Sequence, residues 1–302
     1  MLAGKTIAVT GATGFLGRYL VDALLARGAR VVAAVRNVDR ARGLAVRGVV
    51  LRKADLVERE RLAEAFAGVD AVVSNAALLS LLPRAWQEYV RVNVEGTENV
   101  FEAMATAGVR RAVQLSSVAV YRGHSPPVAE DHPRLDTSVR GSRFNAYPLS
   151  KALSEDAAWR IARARGIALT VLRPPGIYGA FDTNFTRVHK LLVTHLPVAP
   201  YPVMRLCMVY AGDVAEAAVR ALEEPAAEGR AYNVTGDDLT TWQFAAAWRQ
   251  AGGKSARLVP VPVPYRRIYS SDRARRELGW TPRSYQEGIQ EVLVTEGAAG
   301  VT

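Results

Sequence analysis

Short apolar runs alternate along the chain with longer segments whose apolar residues recur every three or four positions. The first run, TIAVT at Thr6 to Thr10, is followed by a glycine turn and then by Leu16, Leu20 and Leu24. The run predicts a buried strand, and the spacing of the leucines predicts an amphipathic helix. The same reasoning predicts further strands at 31–35, 49–51, 71–74, 112–116, 168–172 and 231–234, and further helices at 58–67, 86–107, 146–165 and 213–223.

This alternation predicts an α/β fold, namely a doubly wound parallel Rossmann sheet with a smaller C-terminal substrate lobe. After Arg173 the pattern becomes irregular and proline-rich. We therefore predict a Rossmann domain at 1–173, to which segments at about 209–235 return, and a substrate-binding lobe assembled from 174–208 and 236–302. The sequence PVPVP at 260–264 predicts a stiff, extended connector.

The glycine-rich segment GATGFLG at 11–17 lies between the first predicted strand and helix. Glycine suits a sharp turn there, and it lets a phosphate approach both the backbone and the helix N-terminus. Glycines are common in loops, but their place inside a strand–turn–helix unit favours dinucleotide binding. The predicted cofactor-binding residues of this loop are Gly11, Thr13, Gly14, Phe15, Leu16 and Gly17.

The end of the second strand bears on which dinucleotide is bound. An acidic residue there usually binds a free ribose hydroxyl, whereas this chain has Arg36. A guanidinium can pair with a ribose phosphate, which favours NADP over NAD, although NAD stays open and Arg36 could simply be a solvated arginine. Further cofactor contacts are predicted where the next two strands end, at Asp55, Leu56, Asn75, Ala76 and Ala77.

Tyr147 and Lys151 are four residues apart and therefore share one face of a predicted helix. An ammonium beside a phenol lowers its pKa and makes it a better acid/base at neutral pH. Such pairs are common on helices, but Ser117, at the end of the preceding strand, adds a hydroxyl that can hydrogen-bond a carbonyl oxygen. We predict Ser117, Tyr147 and Lys151 as the catalytic residues. Asn93 could support them or could be a helix-packing amide.

Composition narrows the function further. The 302 residues carry a net charge of +10 and are 49% hydrophobic, which is enough for a packed core. The arginines are spread rather than clustered with aromatics, so no nucleic-acid partner is predicted. The single cysteine, Cys207, is predicted to be buried, and the four histidines (His124, His132, His189 and His195) are predicted in loops without metal-ligand spacing, so no metal is expected. With neither a signal peptide nor a long apolar run, we expect a cytoplasmic protein with no membrane partner.

The motifs resemble those of the extended short-chain dehydrogenase/reductases, and the resemblance extends over nearly the whole chain. They are TGATGFLG at 10–17, DL at 55–56, NAA at 75–77, VNVEGTENV at 92–100, LSSVAVY at 115–121, YPLSK at 147–151, LRPPGIYG at 172–179 and VYAGDVAEA at 209–217. The resemblance implies catalytic roles for Ser117, Tyr147 and Lys151, and nicotinamide contacts after Arg173, at Pro174 and Ile177. By analogy a homodimer is possible, paired through helices 86–107 and 147–165.

Departures from family patterns favour one branch. Sugar dehydratases usually carry an Asp-Glu pair after the catalytic hydroxyl, whereas Val118 and Ala119 stand here. The motif GIYG at 176–179 resembles the corresponding motif of 3β-hydroxysteroid dehydrogenases more than that of nucleotide-sugar enzymes. Arg36 at the end of the second strand resembles the NADP-binding residue of dihydroflavonol-type reductases. The leading hypothesis is therefore an NADP-dependent oxidoreductase that reduces a carbonyl, or oxidises a secondary alcohol, of a small organic substrate. The alternatives are an NDP-sugar epimerase with retained NAD and a catalytically silent NADPH-binding module.

Overall fold

The computed structural model of the protein describes residues 1–80, 84–123, 127–183, 185–190, 193, 198–251 and 257–298. Its central sheet is built from the predicted apolar runs. The strands are β1 (Thr6–Thr10), β2 (Arg30–Val35), β3 (Val50–Lys53), β4 (Ala71–Ser74), β5 (Arg111–Leu115), β6 (Ala168–Arg173) and β9 (Ala231–Asn233).

All seven strands are parallel, in the order β3-β2-β1-β4-β5-β6-β9. Strands β2 and β3 lie on one side of β1, and β4, β5, β6 and β9 lie on the other, so the direction of strand addition reverses between β1 and β4. Sheets of this type bind ligands in the crevice at the carboxyl ends of the strands beside that reversal. The predicted doubly wound α/β fold is confirmed.

Helices cover both faces of this sheet. The helices of the described ranges are α1 (Phe15–Ala26), α2 (Arg42–Ala45), α3 (Arg59–Ala65), α4 (Trp86–Tyr89), α5 (Gly96–Thr106), α6 (Ala146–Arg165), α7 (Phe185–Lys190), α8 (Ala211–Glu223), α9 (Thr241–Gln250), α10 (Asp272–Leu278) and α11 (Tyr285–Ala298). Of these, α7, α9 and α11 do not lie on the central sheet but pack in a separate core. Successive residues of β1 face opposite sides: Ile7 and Val9 belong to the core that includes Leu20 of α1, whereas Ala8 belongs to the core that includes Phe101 of α5.

The long helix predicted at 86–107 is interrupted. A π-helical segment, Val90–Glu95, separates α4 from α5. Asn93 lies in this segment and is 1% exposed. Its amide binds the backbone of Leu78 and the hydroxyl of Ser150, both distant in sequence, so helical periodicity could not reveal the interruption.

A second sheet forms around one long strand, β8 (Val198–Tyr210). It pairs in parallel with β7 (Gly176–Tyr178) and β11 (Arg257–Arg267), and antiparallel with β10 (Asp238–Thr240). The prediction of a connector at 260–264 is wrong, because this segment lies within β11. Proline is tolerated there because β11 stands at the end of the described strand order, where outward N–H groups have no ladder partner.

Other predictions about single residues have mixed outcomes. Cys207 is buried and is a free thiol, as predicted. His132 lies in a loop, but the loop prediction for His189 is wrong, since His189 lies on α7. His124 and His195 lie outside the described residues.

Among the helices of the described ranges, none is both long and apolar enough to span a membrane. The domain boundaries remain predictions.

Candidate active site

A cavity of about 1060 Å³ runs along the carboxyl edge of the central sheet and continues to residues of the second sheet. Small-molecule sites usually have volumes of about 300–1,000 Å³, so this cavity is large enough for a dinucleotide together with a second molecule. Its wall includes the ends of β1, β2, β4 and β5, the start of α6, and parts of α7, β8 and β11.

The glycine loop forms the β1 end of the cavity. Gly11 has a φ of +68°, and a Cβ on it would lie 2.9 Å from the Ala76 Cα, so both conformation and space require glycine. Gly14 precedes α1, whose first turn has no side-chain cap. The backbone N–H groups there suit a pyrophosphate. Gly17 is not among the lining residues; it is buried where α1 crosses Gly11 and Ala12, and a Cβ there would lie 2.0 Å from the Gly11 carbonyl oxygen.

Thr10 joins the glycine loop to the loop after β4. Its buried hydroxyl accepts hydrogen bonds from the backbone N–H groups of Asn75 and Ala76, at 3.1 and 3.2 Å. The Asn75 amide donates to the Gly11 carbonyl at 3.3 Å. Sequence reasoning missed Thr10, because its role depends on β1 and β4 being neighbours.

The ends of β2 and β3 bring one cation and one anion to the same end of the cavity. Arg36 is exposed and lines the wall, and Asp55 and Leu56, which follow β3, line it as well. An exposed guanidinium at this place can pair with an anionic group on a ribose. The Asp55 carboxylate accepts from the Val57 N–H at 3.4 Å, which leaves it oxygen lone pairs for an adenine or ribose.

Ser117 and Tyr147 meet in the middle of the cavity wall. The Ser117 hydroxyl accepts from the Ala119 N–H at 3.1 Å, which fixes its oxygen close enough to the Tyr147 phenol to influence the pKa of that phenol. Tyr147 is partly exposed towards the cavity. Burial raises the pKa of Tyr147, whereas the neighbouring Ser117 hydroxyl lowers it. The net direction is upward, so Tyr147 holds its proton at neutral pH.

Lys151 lies one helical turn after Tyr147 and is 3% exposed. Its Nζ donates to the carbonyl of Leu115, at the end of β5, at 2.6 Å. Burial lowers the pKa of Lys151 to about 8, and the charge of Glu155 opposes this. The expectation that Lys151 lowers the pKa of Tyr147 is not met here, because the ammonium is directed to Leu115 and desolvation dominates at the phenol.

A buried ion pair lies one turn further along α6. Glu155 is 0% exposed and accepts from Arg173 at 2.5 and 3.1 Å and from the Ser116 hydroxyl at 2.5 Å. Burial alone would raise the pKa of Glu155, but Arg173 outweighs it and lowers that pKa. Arg173 also donates to the Tyr121 hydroxyl at 2.8 Å. Sequence reasoning missed this pair, although the four-residue spacing from Lys151 to Glu155 was visible.

Nearly all predicted site residues line this one cavity. Those on the wall are Gly11, Thr13, Gly14, Phe15, Leu16, Arg36, Asp55, Leu56, Asn75, Ala76, Ala77, Ser117, Tyr147, Lys151, Pro174 and Ile177. Arg205 pairs with Asp238 at 2.9 Å and is absent from the lining. The described ranges contain no cluster of three or more acidic, histidine or cysteine side chains that could hold a metal ion.

The family comparison agrees with this geometry. A model of the NAD dependent epimerase/dehydratase family matches residues 7–235. Among curated proteins, the chain is 33% identical to cinnamoyl-CoA reductase 1 of Arabidopsis thaliana, over 76% of this chain and 70% of that protein.

Two further similarities differ in coverage. The chain is 39% identical to a 4-hydroxy-2-methyl-3-oxo-4-farnesyl-3,4-dihydroquinoline-1-oxide ketoreductase of Stigmatella aurantiaca, over 59% of this chain and only 52% of that protein, about half its length. Among solved structures, the UDP-glucose 4-epimerase of Thermus thermophilus in complex with NAD is similar, with a TM-score of 0.80 and 27% identity. That match covers 97% of this chain and 99% of the other.

Proposed function

The chain belongs to the NAD-dependent epimerase/dehydratase family, and we propose that within this family it is an NADP-dependent reductase of a carbonyl group on a small organic substrate. The same site can run in reverse and oxidise a secondary alcohol. One observation carries the proposal: the Ser117–Tyr147 hydroxyl pair opens into the same cavity as the glycine loop and Arg36.

The residues present fit a nicotinamide dinucleotide, the cofactor class that this family binds. Gly11 and Gly14 leave room for a pyrophosphate at an uncapped helix N-terminus. Asn75 and Ile177 border the path from there towards Tyr147. We assign the ribose phosphate of NADP to Arg36, because a guanidinium pairs with phosphate through parallel hydrogen bonds.

The bound cofactor supplies a hydride to the carbonyl carbon. Tyr147 donates its proton to the carbonyl oxygen as the carbon–oxygen double bond becomes a single bond, so hydride and proton together give the alcohol. Ser117 donates a hydrogen bond to the same carbonyl oxygen. The hydroxyl oxygen of Ser117 is held in place because it accepts from the Ala119 N–H. A phenol is protonated at neutral pH and burial raises the pKa of Tyr147 further, so the phenol is in the state that reduction requires.

Lys151 supplies positive charge beneath the cavity. With a pKa of about 8, it is largely protonated at neutral pH. Its ammonium is anchored at the Leu115 carbonyl, where it can also meet a ribose hydroxyl. We assign it a role in holding the cofactor and in returning a proton to Tyr147.

The test follows NADPH absorbance while purified protein is offered a panel of aldehydes and ketones. We expect consumption of NADPH with at least one of them, slower consumption of NADH, and a fall in kcat of about 10-fold or more for Ser117→Ala. Tyr232→Phe is a matched control that removes a hydroxyl away from the cavity, where it binds Glu277, and it should leave kcat unchanged.

Two outcomes would overturn the proposal. Protein that copurifies with tightly bound NAD and turns over no carbonyl compound would favour the NDP-sugar epimerase, an activity named for one of the similar structures. Protein that binds NADPH but transfers hydride to nothing in the panel would favour a catalytically silent module.

A further inference from the structure

The loop between β3 and α3 forms the end of the cavity that is remote from the proposed reaction. Ala54, Asp55, Leu56 and Val57 all line it. Ser117 follows β5, the glycine loop follows β1, and this loop follows β3, the outermost strand on the other side of β1. A dinucleotide whose pyrophosphate lies at the glycine loop and whose nicotinamide lies beside Ser117 therefore places its adenosine over the ends of β2 and β3.

Hydrogen bonds within this loop hold it only locally. The Glu58 N–H donates to the Asp55 carbonyl at 3.0 Å and closes one turn. The Asp55 carboxylate accepts from the Val57 N–H at 3.4 Å, which is long for a hydrogen bond and therefore weak. These bonds shape a turn but do not connect it to the rest of the protein, so the position of this part of the wall depends on what packs against it.

Helix α5 supports the loop through Asn99. The side-chain amide of Asn99 donates to the Leu56 carbonyl at 2.9 Å, across 43 positions of the chain. The amide oxygen of Asn99 accepts from Nε of Arg59, on α3, at 3.3 Å. Both neighbours require this orientation of the amide, because a carbonyl can only accept and a guanidinium can only donate. One side chain therefore connects α5 both to the loop and to the helix that follows it.

Asn99 stands on a helix that is itself firmly packed. The next residues, Val100 and Phe101, are 1% and 0% exposed and belong to a core on one face of the central sheet. Gly96 and Asn99 are three positions apart and share one face of α5. A Cβ on Gly96 would lie 3.1 Å from the Leu56 Cβ, below the optimum of about 3.5–4.0 Å for two carbon atoms. The same face of α5 thus fixes both the backbone and the side chain of Leu56.

We propose that Asn99 is a positioning residue for the dinucleotide, because it holds the Leu56 carbonyl and thereby keeps Asp55 and Leu56 in place to receive the adenosine half. Asn99 is not among the lining residues, so it acts through the loop. A wall that is already fixed does not have to be ordered by the ligand, which strengthens binding. The inference rests on the part of the proposed function that puts a dinucleotide in this cavity, and neither the preference for NADP nor the carbonyl substrate enters it.

The test measures the Kd of ADP-ribose by calorimetry. ADP-ribose carries the adenosine and the pyrophosphate of both cofactors but has neither a nicotinamide nor a 2′-phosphate. Hydride transfer and the proposed phosphate contact of Arg36 therefore do not affect the comparison. Asn99→Ala should raise this Kd roughly 5-fold, the change expected for the loss of one net hydrogen bond.

Further variants separate the two hydrogen bonds of Asn99. Asn99→Asp keeps an acceptor for Arg59 but has no N–H for the Leu56 carbonyl, so it should weaken ADP-ribose binding at least as much as Asn99→Ala. Arg59→Ala removes only the bond to α3 and should raise the Kd less. Thr106→Ala is the matched control, because Thr106 donates to the Glu102 carbonyl at the exposed end of the same helix, and it should leave the Kd unchanged.

Hydrogen exchange separates positioning of the loop from general damage to the fold. In Asn99→Ala the backbone amides of Val57 and Glu58 should exchange faster than in the wild-type protein, whereas those of the glycine loop at 11–17 should exchange as before. Mass spectrometry at short exchange times measures both segments. The melting temperature of every variant checks that it is folded.

The inference is overturned if folded Asn99→Ala or Asn99→Asp binds ADP-ribose as tightly as the wild-type protein does. Faster exchange in both segments would also count against it, since Asn99 would then stabilise the fold in general. Weaker ADP-ribose binding by these variants, in a protein that reduces no carbonyl compound, would count against the reductase reaction alone. A wild-type protein without affinity for ADP-ribose would contradict both the inference and the dinucleotide site.

Discussion

Replacing Glu155 with glutamine removes the negative charge from an ion pair whose side chains, Arg173 and Glu155, are 4% and 0% exposed. Arg173 would then remain buried with the hydroxyl of Tyr121 and the Glu130 carbonyl as neutral acceptors. Removing one partner of a buried pair typically destabilises a protein by about 3–5 kcal/mol. Glutamine keeps the shape and one acceptor, so we expect a value near the lower end, about 3 kcal/mol.

Urea unfolding of the wild-type protein and of Glu155→Gln measures this difference as a shift in midpoint at constant slope. Glu64→Gln is the control, because it breaks an exposed pair with Arg61 at 2.9 Å and should change stability by less than about 1 kcal/mol. The pKa of Glu155 is held below its ordinary value by Arg173. Its contribution is therefore present at neutral pH and lost as the pH falls through that lowered pKa, and the gap between the two proteins should narrow in acid. A difference below about 1 kcal/mol at neutral pH would refute the reasoning.

Three further predictions concern the cofactor. Arg36→Asp should raise the Kd for NADPH by roughly 10-fold or more and leave that for NADH unchanged or lower, measured by cofactor fluorescence; equal weakening of both would argue against a phosphate contact. Gly11→Ala should both destabilise the fold, by about 1 kcal/mol or more, and weaken dinucleotide binding, because φ is +68° and Ala76 lies against the new Cβ; unaltered thermal stability and Kd would count against the tight turn. NADPH affinity should fall as the pH rises through about 8, where the lowered pKa of Lys151 removes its charge, and Lys151→Met should abolish this step; a step that persists in the variant would assign it to another group.

The sequence predicted the central sheet well because apolar runs and helical spacing are local signals. Strand β4 and helix α6 have the predicted limits, Ala71–Ser74 and Ala146–Arg165. Strand β11 was mistaken for a connector because alternating prolines hide its period-two pattern and only pairing with β8 makes it a strand. The π-helical segment Val90–Glu95 was missed because contacts of Asn93 with Leu78 and Ser150 form only in the folded chain.

Some features of the candidate site could likewise be predicted from the sequence, whereas others depend on contacts that form only in the folded chain. Residues that follow strand ends, such as Arg36 and Asn75, could be placed on the cavity from topology alone, because parallel strands share one carboxyl edge. The direction in which the pKa of Tyr147 is shifted could not be predicted from the sequence, since it depends on burial that the sequence does not show. His189 was predicted in a loop but lies on α7, and its hydrogen bond with Tyr201 on β8 forms only in the folded chain.

Hydride delivery beside Tyr147 is the central claim, and deuterium transfer tests it most directly. Wild-type protein is incubated with NADPH that is deuterated at the transferable position and with the carbonyl compound that it reduces fastest, and the product is analysed by mass spectrometry. We expect one deuterium on the former carbonyl carbon, and a rate about 10²-fold or more lower in Tyr147→Phe with NADPH affinity unchanged. An alcohol without deuterium, or an unchanged rate in the phenylalanine variant, would contradict the account.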